Sequence, residues 1–221
     1  MKPMPLHFLY AGVLLAWLGL LWAGHRGPGP ATPSATLRAA ADEKHYVTLK
    51  QLLGSGASAR QPAPPFAAPT HDGQTFRLED ALEGQPLVLI FIKNGCPCSV
   101  EAEPHFHQVL DLYQGHVRFA GVIDGTLETA RQYARDQRVP YPVLADPERA
   151  IIRAYRAESS VYVAVIRPDG VIDQLWPGYS AEMMRELGRR IAELSETQER
   201  RIDVRGIPTV LTTGCPFLEA S

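Results

Sequence analysis

The amino-acid sequence predicts an α/β domain with a mixed central sheet and helices on both of its faces. Between residues 62 and 196, strand-like apolar segments alternate with helical ones, an order typical of layered folds of this class. Residues 87–92 (LVLIFI) form an unbroken apolar run, as expected of a strand buried on both faces. Near the end of the domain, a Pro-Asp-Gly turn at residues 168–170 separates two strand-like segments. This turn predicts a hairpin, so the sheet should also contain an antiparallel pair.

The other elements follow from apolar runs, helical periodicity and residues that favour helix ends. Pro147 suits the first turn of a helix, and Ser180 is a typical N-cap for the last helix. The predicted strands are residues 75–78, 87–92, 117–123, 141–144, 161–166 and 171–176. The predicted helices are residues 99–113, 127–137, 147–155 and 181–196. Residues 197–221 have no period and are expected to form a flexible C-terminal tail that carries Cys215.

The first part of the chain contains a long apolar segment. No Asp, Glu, Lys or Arg lies between Lys2 and Arg26, and residues 6–23 are apolar apart from one histidine. A segment of this length is close to the minimum that spans a bilayer, and the large residues near its end disfavour signal cleavage. We therefore predict a transmembrane anchor in residues 1–24, with a cleaved signal as the alternative. The rest of the chain is expected to lie outside the cytoplasm, in the periplasm.

Composition limits the remaining possibilities. Residues 25–61 are rich in Pro, Gly and Ala and predict a linker, with a possible short helix at residues 42–53. The 22 basic and 24 acidic residues are mixed along the chain, which argues against nucleic acid as a partner. Three cysteines in 221 residues are too few for a disulfide scaffold, and no zinc-binding motif is present. The domain itself is predicted to span residues 62–196.

The most informative segment follows the buried strand. After residue 92 a Lys-Asn-Gly loop leads to Cys96, where the next helix is predicted to begin. Unpaired backbone N–H groups and the helix dipole favour a thiolate at such a position. The positive charge of Lys93, three residues earlier, is expected to lower the pKa of Cys96 further. Cys96 is therefore predicted to be a nucleophile, with Cys98 as a second thiol nearby.

This segment resembles the active-site turn of the thioredoxin-like redoxins, which include the AhpC/TSA and the TlpA/ResA-type thiol-disulfide oxidoreductases. In that family a buried strand leads to Cys-x-x-Cys, and a proline follows eight residues after the first cysteine. By resemblance, Cys96 takes the nucleophile position, Pro104 is the helix proline, and Ser99 replaces the second cysteine. The family places a cis-proline before the hairpin strand, where this sequence has Ser159 and Ser160. The Ile-Pro-Thr at residues 207–209 is the alternative equivalent.

The resemblance implies a thiol-disulfide oxidoreductase that acts on protein disulfides or thiols and needs no bound cofactor or metal. Cys98 or Cys215 would then resolve a mixed disulfide on Cys96. A hydroperoxide reductase of the same family is the first alternative. However, Leu89 and Lys93 stand where peroxiredoxins carry a proline and a Thr or Ser, which counts against it.

A copper-binding protein is the second alternative, and a scaffold with vestigial chemistry is the third. The copper site would combine Cys96 and Cys98 with His105 or His107 on the same helix, because thiolate and imidazole both suit copper. Residues two apart on a helix point in different directions, which favours ordinary surface histidines.

Four acidic residues lie near the predicted site. Glu101 could share a helix face with the first of the two histidines, and both Glu101 and Glu103 fit the preference for acids in the first turns of a helix. Asp124 and Asp146 each follow a strand at the edge where such sheets bind ligands. They are candidate proton acceptors for a thiol, with turn formation as the more ordinary explanation.

Overall fold

The computed structural model describes residues 45–217 of the 221-residue chain. The predicted anchor and the first part of the predicted linker lie outside these residues. Within the described range, none of the helices combines the length and the apolar character needed to cross a bilayer.

A five-stranded mixed sheet forms the centre of the domain, as predicted. Its strand order is β5-β4-β3-β6-β7, in which β3 pairs in parallel with β4 and antiparallel with β6. The strands are β3 (Leu87–Ile92), β4 (Arg118–Ile123), β5 (Val143–Ala145), β6 (Val163–Ile166) and β7 (Ile172–Trp176). A separate antiparallel pair consists of β1 (Ala67–Pro69) and β2 (Thr75–Arg77). All six residues of β3 are buried, because helices cover the sheet on both sides.

The alternation of side chains along β3 divides the core into two layers. Val88, Ile90 and Ile92 face one layer, and Leu87, Leu89 and Phe91 face the other. The first layer is covered by α3 (Pro97–Leu112), α4 (Leu127–Gln137) and α6 (Ala181–Leu194). The second is covered by α2 (Leu78–Ala81) and α5 (Ala150–Ala154). The central strand is thus fixed from both sides, and the loop that follows it starts from a rigid position.

The N-terminal helix differs from its prediction. Helix α1 spans Leu49–Ser58, so it includes residues that the composition assigned to a linker. A capping box between Thr48 and Gln51 starts the helix, and its buried residues are polar. Gln51 donates a side-chain hydrogen bond to Ser159 at 3.3 Å, while Leu49 and Leu53 are exposed. Gln51 and two serines therefore make the contacts with the domain, while the two leucines point outward.

The C-terminal segment also differs from its prediction. Residues 197–217 have no regular helix or strand, but they pack onto the domain instead of forming a flexible tail. Ile202 and Ile207 are buried in the core layer next to α3, and Phe217 is buried in the opposite layer. Isolated bridges connect Thr212 to Tyr46 and to Tyr179. The prediction of a flexible tail was wrong because the apolar residues of this segment follow no helical or strand period. Their burial depends on contacts with distant parts of the chain.

Candidate active site

The loop between β3 and α3 sets the position of Cys96. Asp124 follows β4 and accepts a hydrogen bond from the backbone N–H of Asn94 at 2.6 Å, which holds this loop against the neighbouring strand. Gly95 has φ +74°, a conformation that favours glycine, and turns the chain into the helix. Cys96 is the N-cap of α3 and Pro97 its first residue, two positions earlier than predicted. Pro104 lies inside α3 at the expected place.

Three groups surround the sulfur of Cys96. The Sγ of Cys215 lies 2.8 Å away, closer than ordinary van der Waals contact, and the Cys215 backbone N–H donates to Cys96 Sγ at 3.3 Å. The hydroxyl oxygen of Ser160 is 3.2 Å from the same sulfur. Cys96 is only 2 % exposed, so these contacts replace water around it. The structure therefore brings together a residue from the helix start, one from the loop before β6 and one from the C-terminal segment.

These contacts favour a thiolate at Cys96. The neighbouring Cys98 thiol is the largest influence, and hydrogen bonds from Cys215 and Ser160 add to it against the cost of burial. Together they lower the pKa of Cys96 to about 4. The N-cap position also favours the thiolate, because the unpaired backbone N–H groups at the start of a helix carry a partial positive charge.

The other two thiols are shifted in the opposite direction. The pKa of Cys98 is raised, first by the neighbouring Cys96 thiolate and then by burial. Burial and the bond to Cys96 raise the pKa of Cys215 to about 12. The three sulfurs therefore share one negative charge, which resides on Cys96.

A strained turn holds Ser160 in place. Val161 has φ +64°, a region that β-branched residues rarely adopt. Its N–H nevertheless donates to the carbonyl of Phe91 in β3 at 2.7 Å, and Ser160 itself is completely buried. Ser160 rather than the Ile-Pro-Thr of residues 207–209 lies beside Cys96. Pro208 instead accepts a hydrogen bond from the N–H of Ala181 at the start of α6.

The C-terminal segment is fastened directly to this turn. Ser160 donates its N–H to the carbonyl of Cys215, and Gly214 donates to the carbonyl of Ser160, both at 2.9 Å. Phe217 adds a third hydrogen bond to Glu158 at 2.9 Å. A Cβ on Gly214 would lie 1.9 Å from the hydroxyl oxygen of Ser160, so only glycine fits this contact. Residues 214–217 thus behave as a short strand-like segment that delivers Cys215 to the site.

Lys93 and Ser99 lie in or beside the loop before α3. The hydroxyl of Ser99 accepts a hydrogen bond from the Lys93 N–H at 3.4 Å and so supports this loop. The charge of Lys93 lowers the pKa of Cys215, partly offsetting its burial, and it is not among the main influences on the pKa of Cys96. The effect of Lys93 on the nucleophile and the match of Ser99 to the second cysteine of the family stay predictions.

A buried carboxyl group that sequence reasoning assigned to the helix dipole has a larger set of partners. Glu103 is 2 % exposed and accepts hydrogen bonds from the hydroxyls of Tyr133, at 2.9 Å, and Tyr141. His107 Nε2 lies 3.1 Å from the same carboxyl group. Burial and the neighbouring Glu103 raise the pKa of both tyrosines. The spacing of Glu103 and His107 along a helix was a visible signal, whereas the two tyrosines come from elsewhere in the fold.

The remaining sequence candidates lie outside the thiol cluster. The ring of His105 packs beside that of Tyr179, with 6.3 Å between centroids. Asp146 accepts hydrogen bonds from Ala150 and Ile152 and so caps α5. The histidine that does approach the thiols is His45, which sequence reasoning did not single out. One of its ring nitrogens and the sulfurs of Cys98 and Cys215 all lie within 4.8 Å of one another.

A cleft of about 250 Å³ reaches Cys96 from the side of α4. It lies between the start of α3 and the exposed face of α4. Its lining residues are Asn94, Gly95, Cys96, Val100, Thr129, Gln132, Tyr133, Asp136 and Gln137.

Comparison with known proteins gives a consistent picture. The model of the AhpC/TSA family matches residues 59–175. Among the curated proteins, none matches the sequence.

Three solved structures illustrate the similarity of the fold. A secreted Mycobacterium tuberculosis disulfide oxidoreductase homologous to E. coli DsbE is 25% identical, with a TM-score of 0.50 over 58% of this chain and 96% of that one. A putative thiol:disulfide interchange protein DsbE from Chlorobium tepidum is 20% identical, with a TM-score of 0.57 over 62% and 97%. The peroxidoxin BcpB from Mycobacterium tuberculosis is 18% identical, with a TM-score of 0.53 over 64% and 98%. These similarities identify a thioredoxin-like fold.

Proposed function

This chain belongs to the AhpC/TSA family of redoxins, and we propose that it is a thiol-disulfide oxidoreductase with Cys96 as nucleophile and Cys215 as resolving thiol. The observation that carries the proposal is the 2.8 Å separation between the sulfurs of Cys96 and Cys215 at the start of α3. A disulfide bond is about 2.05 Å long, so a small movement is enough to join them.

In the first step, the Cys96 thiolate attacks a disulfide in a partner protein. A new bond forms between Cys96 and one partner sulfur, and the other partner sulfur leaves as a thiolate that takes a proton from solvent. The cleft beside α4 provides the approach to Cys96. Cys98 keeps its proton, because the neighbouring Cys96 thiolate and burial raise its pKa.

In the second step, Cys215 loses its proton and attacks Cys96. The Cys96–Cys215 disulfide forms, and the bond to the partner breaks and releases the second partner thiol. The partner has gained two electrons and the two cysteines have lost them. A thiol donor then reduces the Cys96–Cys215 disulfide and restores both thiols. In the opposite direction of the overall reaction, the Cys96–Cys215 disulfide oxidises a dithiol partner. Lys93 assists deprotonation of Cys215, because its charge lowers that pKa.

Trapping tests these roles. In Cys215→Ser, a mixed disulfide between Cys96 and a substrate protein should accumulate, whereas Cys98→Ser should still complete exchange. Non-reducing electrophoresis and peptide mass spectrometry identify the joined cysteines, and Cys96→Ser is the control that should form no adduct. Accumulation in Cys98→Ser but not in Cys215→Ser would assign resolution to Cys98 and overturn the proposal for Cys215.

Hydroperoxide reduction is the second candidate, because the AhpC/TSA family match applies to it equally. In that reaction the Cys96 thiolate would displace water or an alcohol from the hydroperoxide and become a sulfenic acid, and Cys215 would then close the disulfide with loss of water. Lys93 precedes Cys96 by three residues, and its side chain has no hydroxyl to hold a peroxide. Protein disulfides are therefore favoured. Hydroperoxide consumption faster than insulin reduction under the same conditions would reverse this order.

The proposed location is outside the cytoplasm, with the domain attached to a membrane by residues 1–24. The apolar stretch of residues 6–23 and the secreted DsbE homologue among the similar structures support this location. Disulfide exchange is also consistent with an oxidising compartment. Fractionation of cells that express the full chain, with protease added from the periplasmic side, tests the location. Protection of the domain from that protease would contradict it.

A further inference from the structure

We propose that the reduced protein binds a thiophilic metal ion, Zn²⁺ or Cu⁺, through His45, Cys98 and Cys215. This site goes beyond disulfide exchange, which needs only the thiols and gives His45 no role.

The ligand atoms are already close enough to share one ion. A ring nitrogen of His45 and the sulfurs of Cys98 and Cys215 lie within 4.8 Å of one another. In a tetrahedral site with metal–sulfur bonds of about 2.3 Å and metal–nitrogen bonds of about 2.0 Å, ligand atoms are about 3.4–3.8 Å apart. A small contraction of the group therefore suffices. The Cys96 sulfur touches that of Cys215 but lies outside this group of three.

Backbone pairing explains why His45 reaches the thiols. The carbonyl of His45 accepts a hydrogen bond from the N–H of Thr213 at 2.8 Å, two residues before Cys215. The neighbouring Val47 donates to Leu211 at 3.3 Å, and Tyr46 forms a bridge with Thr212. The segment before α1 and the C-terminal segment thus run side by side. Residues from both ends of the described chain meet over the start of α3.

The types of ligand decide the class of metal. Two sulfurs and one imidazole, with water in the fourth position, are a donor set of zinc sites, and thiolates also select Cu⁺ over harder ions. Cys98 is buried, whereas His45 and Cys215 are half-buried, so an ion can enter from their side. Each thiol that coordinates the ion gives its proton to solvent, and no electron is transferred in binding.

Metal binding and disulfide formation both use the sulfur of Cys215 and exclude each other. When Cys96 and Cys215 form a disulfide, their two electrons pass to the partner disulfide and one of the three protein ligands is lost. The ion is then released. Conversely, an ion bound to the reduced site occupies the resolving thiol. The metal would therefore hold the protein in its reduced, inactive form until the ion is removed.

The test uses the full-length chain, reduced and stripped of metal under anaerobic conditions. Titration with Co²⁺, a spectroscopic substitute for Zn²⁺, should give the sulfur-to-cobalt charge-transfer band and the intense visible bands of a tetrahedral site at one ion per chain. If the site binds zinc, Zn²⁺ should displace Co²⁺ and bleach these bands. A separate titration against a chromogenic chelator measures the affinity for Cu⁺. Tight binding of either ion supports the proposal. Failure of both ions to bind the folded, reduced protein overturns it.

Variants then identify the ligands. His45→Ala and Cys98→Ser should each weaken binding by at least about 10-fold, in keeping with the sensitivity of metal sites to changes around them. His116→Ala, in an exposed turn, is the matched control and should bind like the wild type. Circular dichroism confirms that each variant is folded. Unchanged affinity in His45→Ala, or a loss in His105→Ala instead, would show that His45 is not a ligand.

A separate measurement distinguishes this proposal from the exchange reaction. Insulin reduction by the wild type is assayed with excess chelator and with added Zn²⁺ or Cu⁺. Exchange that proceeds with chelator and stops with the ion supports both proposals. A protein that binds the ion but never reduces insulin retains the metal site and lacks the exchange function. A protein that exchanges at the same rate with the ion present has no ion on Cys215, which overturns the metal site described here.

Discussion

Cys98 and Cys215 reach Cys96 from different parts of the chain, and the two regions hold their thiols in different ways. Cys98 lies two residues from Cys96 in the first turn of α3, so its position follows from local helix geometry. Cys215 lies 119 residues away and is held by hydrogen bonds between residues 214–217 and the loop at Ser160. The distant thiol has its sulfur 2.8 Å from Cys96 and also donates its N–H.

This difference indicates how one fold can separate two roles. The near thiol keeps its proton beside the Cys96 thiolate. The pKa of Cys98 is raised and that of Cys96 is lowered, which makes Cys98 a poor nucleophile and Cys96 a good one. The distant thiol rests on a segment without regular secondary structure, and few hydrogen bonds need to break for it to move. A resolving thiol must yield to a substrate and then return, which suits the second region better than the first.

The largest expected effect separates the two thiols by rate. Cys215→Ser should lower the turnover of disulfide exchange by at least about 100-fold, because an intramolecular attack is replaced by attack of a thiol from solution. Cys98→Ser should lower it by less than about 10-fold, since a hydroxyl can still donate a hydrogen bond to Cys96. Insulin reduction, followed with a fixed thiol donor, measures both. Equal losses would remove the distinction between the two regions.

The next effect comes from loosening the C-terminal segment while α3 is left unchanged. In Gly214→Ala the added Cβ collides with the hydroxyl of Ser160, so the segment must shift. We expect the free energy of unfolding to fall by about 1–3 kcal/mol, measured by urea denaturation. Closure of the Cys96–Cys215 disulfide should slow by about 10-fold or more, because small displacements of reacting groups are costly.

Gly56→Ala is the control for this change. Nothing lies within 4 Å of the added Cβ, and the position is inside helix α1. Its stability should stay the same or rise by up to about 1 kcal/mol. A Gly214→Ala protein that forms the disulfide as fast as this control would show that the position of Cys215 does not depend on the contact with Ser160.

The pH dependence of alkylation should also distinguish the thiols. The pKa of Cys96 is lowered to about 4, so its reactive thiolate is present above that value and is lost as the pH falls through it. The rate of iodoacetamide labelling of Cys96 should therefore be nearly constant from about pH 6 to pH 8. The labelling rate of an ordinary thiol with a pKa of about 8.5 instead rises throughout this range. Mass spectrometry of quenched samples reports each cysteine separately. A midpoint for Cys96 near that of an ordinary thiol would contradict the proposed sharing of one charge.

The smallest expected effect concerns Ser160. Ser160→Ala removes one of several hydrogen bonds to the Cys96 thiolate, so the pKa of Cys96 should rise by less than about one unit. Ser99→Ala is the matched control, because its hydroxyl contacts the Lys93 N–H and is not among the groups that bond to the thiolate. The same labelling experiment measures both variants. A larger shift in Ser99→Ala than in Ser160→Ala would mean that the loop, and not the contact with Ser160, controls the thiolate.

Most of the sheet and of the first helix turn could be read from local patterns. The apolar run of residues 87–92 corresponds to β3 without any change of bounds, and residues 127–137 correspond to α4 in the same way. Ser180 accepts a hydrogen bond from the N–H of Met183 and caps α6 as predicted. These features depend on periodicity, capping and burial within a few neighbouring residues, so the order of residues is enough to predict them.

The parts that were missed depend on contacts between distant segments. Helix α1 turns polar residues inward because Gln51 and two serines meet the domain there. Glu103 accepts hydrogen bonds from Tyr133 in α4 and from Tyr141 before β5, which lie 30 and 38 residues further along the chain. A pattern along one element carries no information about a partner on another. The sequence could therefore indicate that Glu103 is helical, but not that it is buried and bonded.

The sequence alone predicted a mixed sheet, a helix that begins after its central strand, and a nucleophilic cysteine at that helix start. These follow from interactions over one or two turns, which act whatever the rest of the chain does. Only the folded structure decided which thiol meets Cys96, and that His45 joins the same group. The pairing of residues 45–47 with 211–213 and of 158–160 with 214–217 makes that decision. Backbone hydrogen bonds between distant segments are nearly independent of side-chain type, and therefore leave little trace in the sequence.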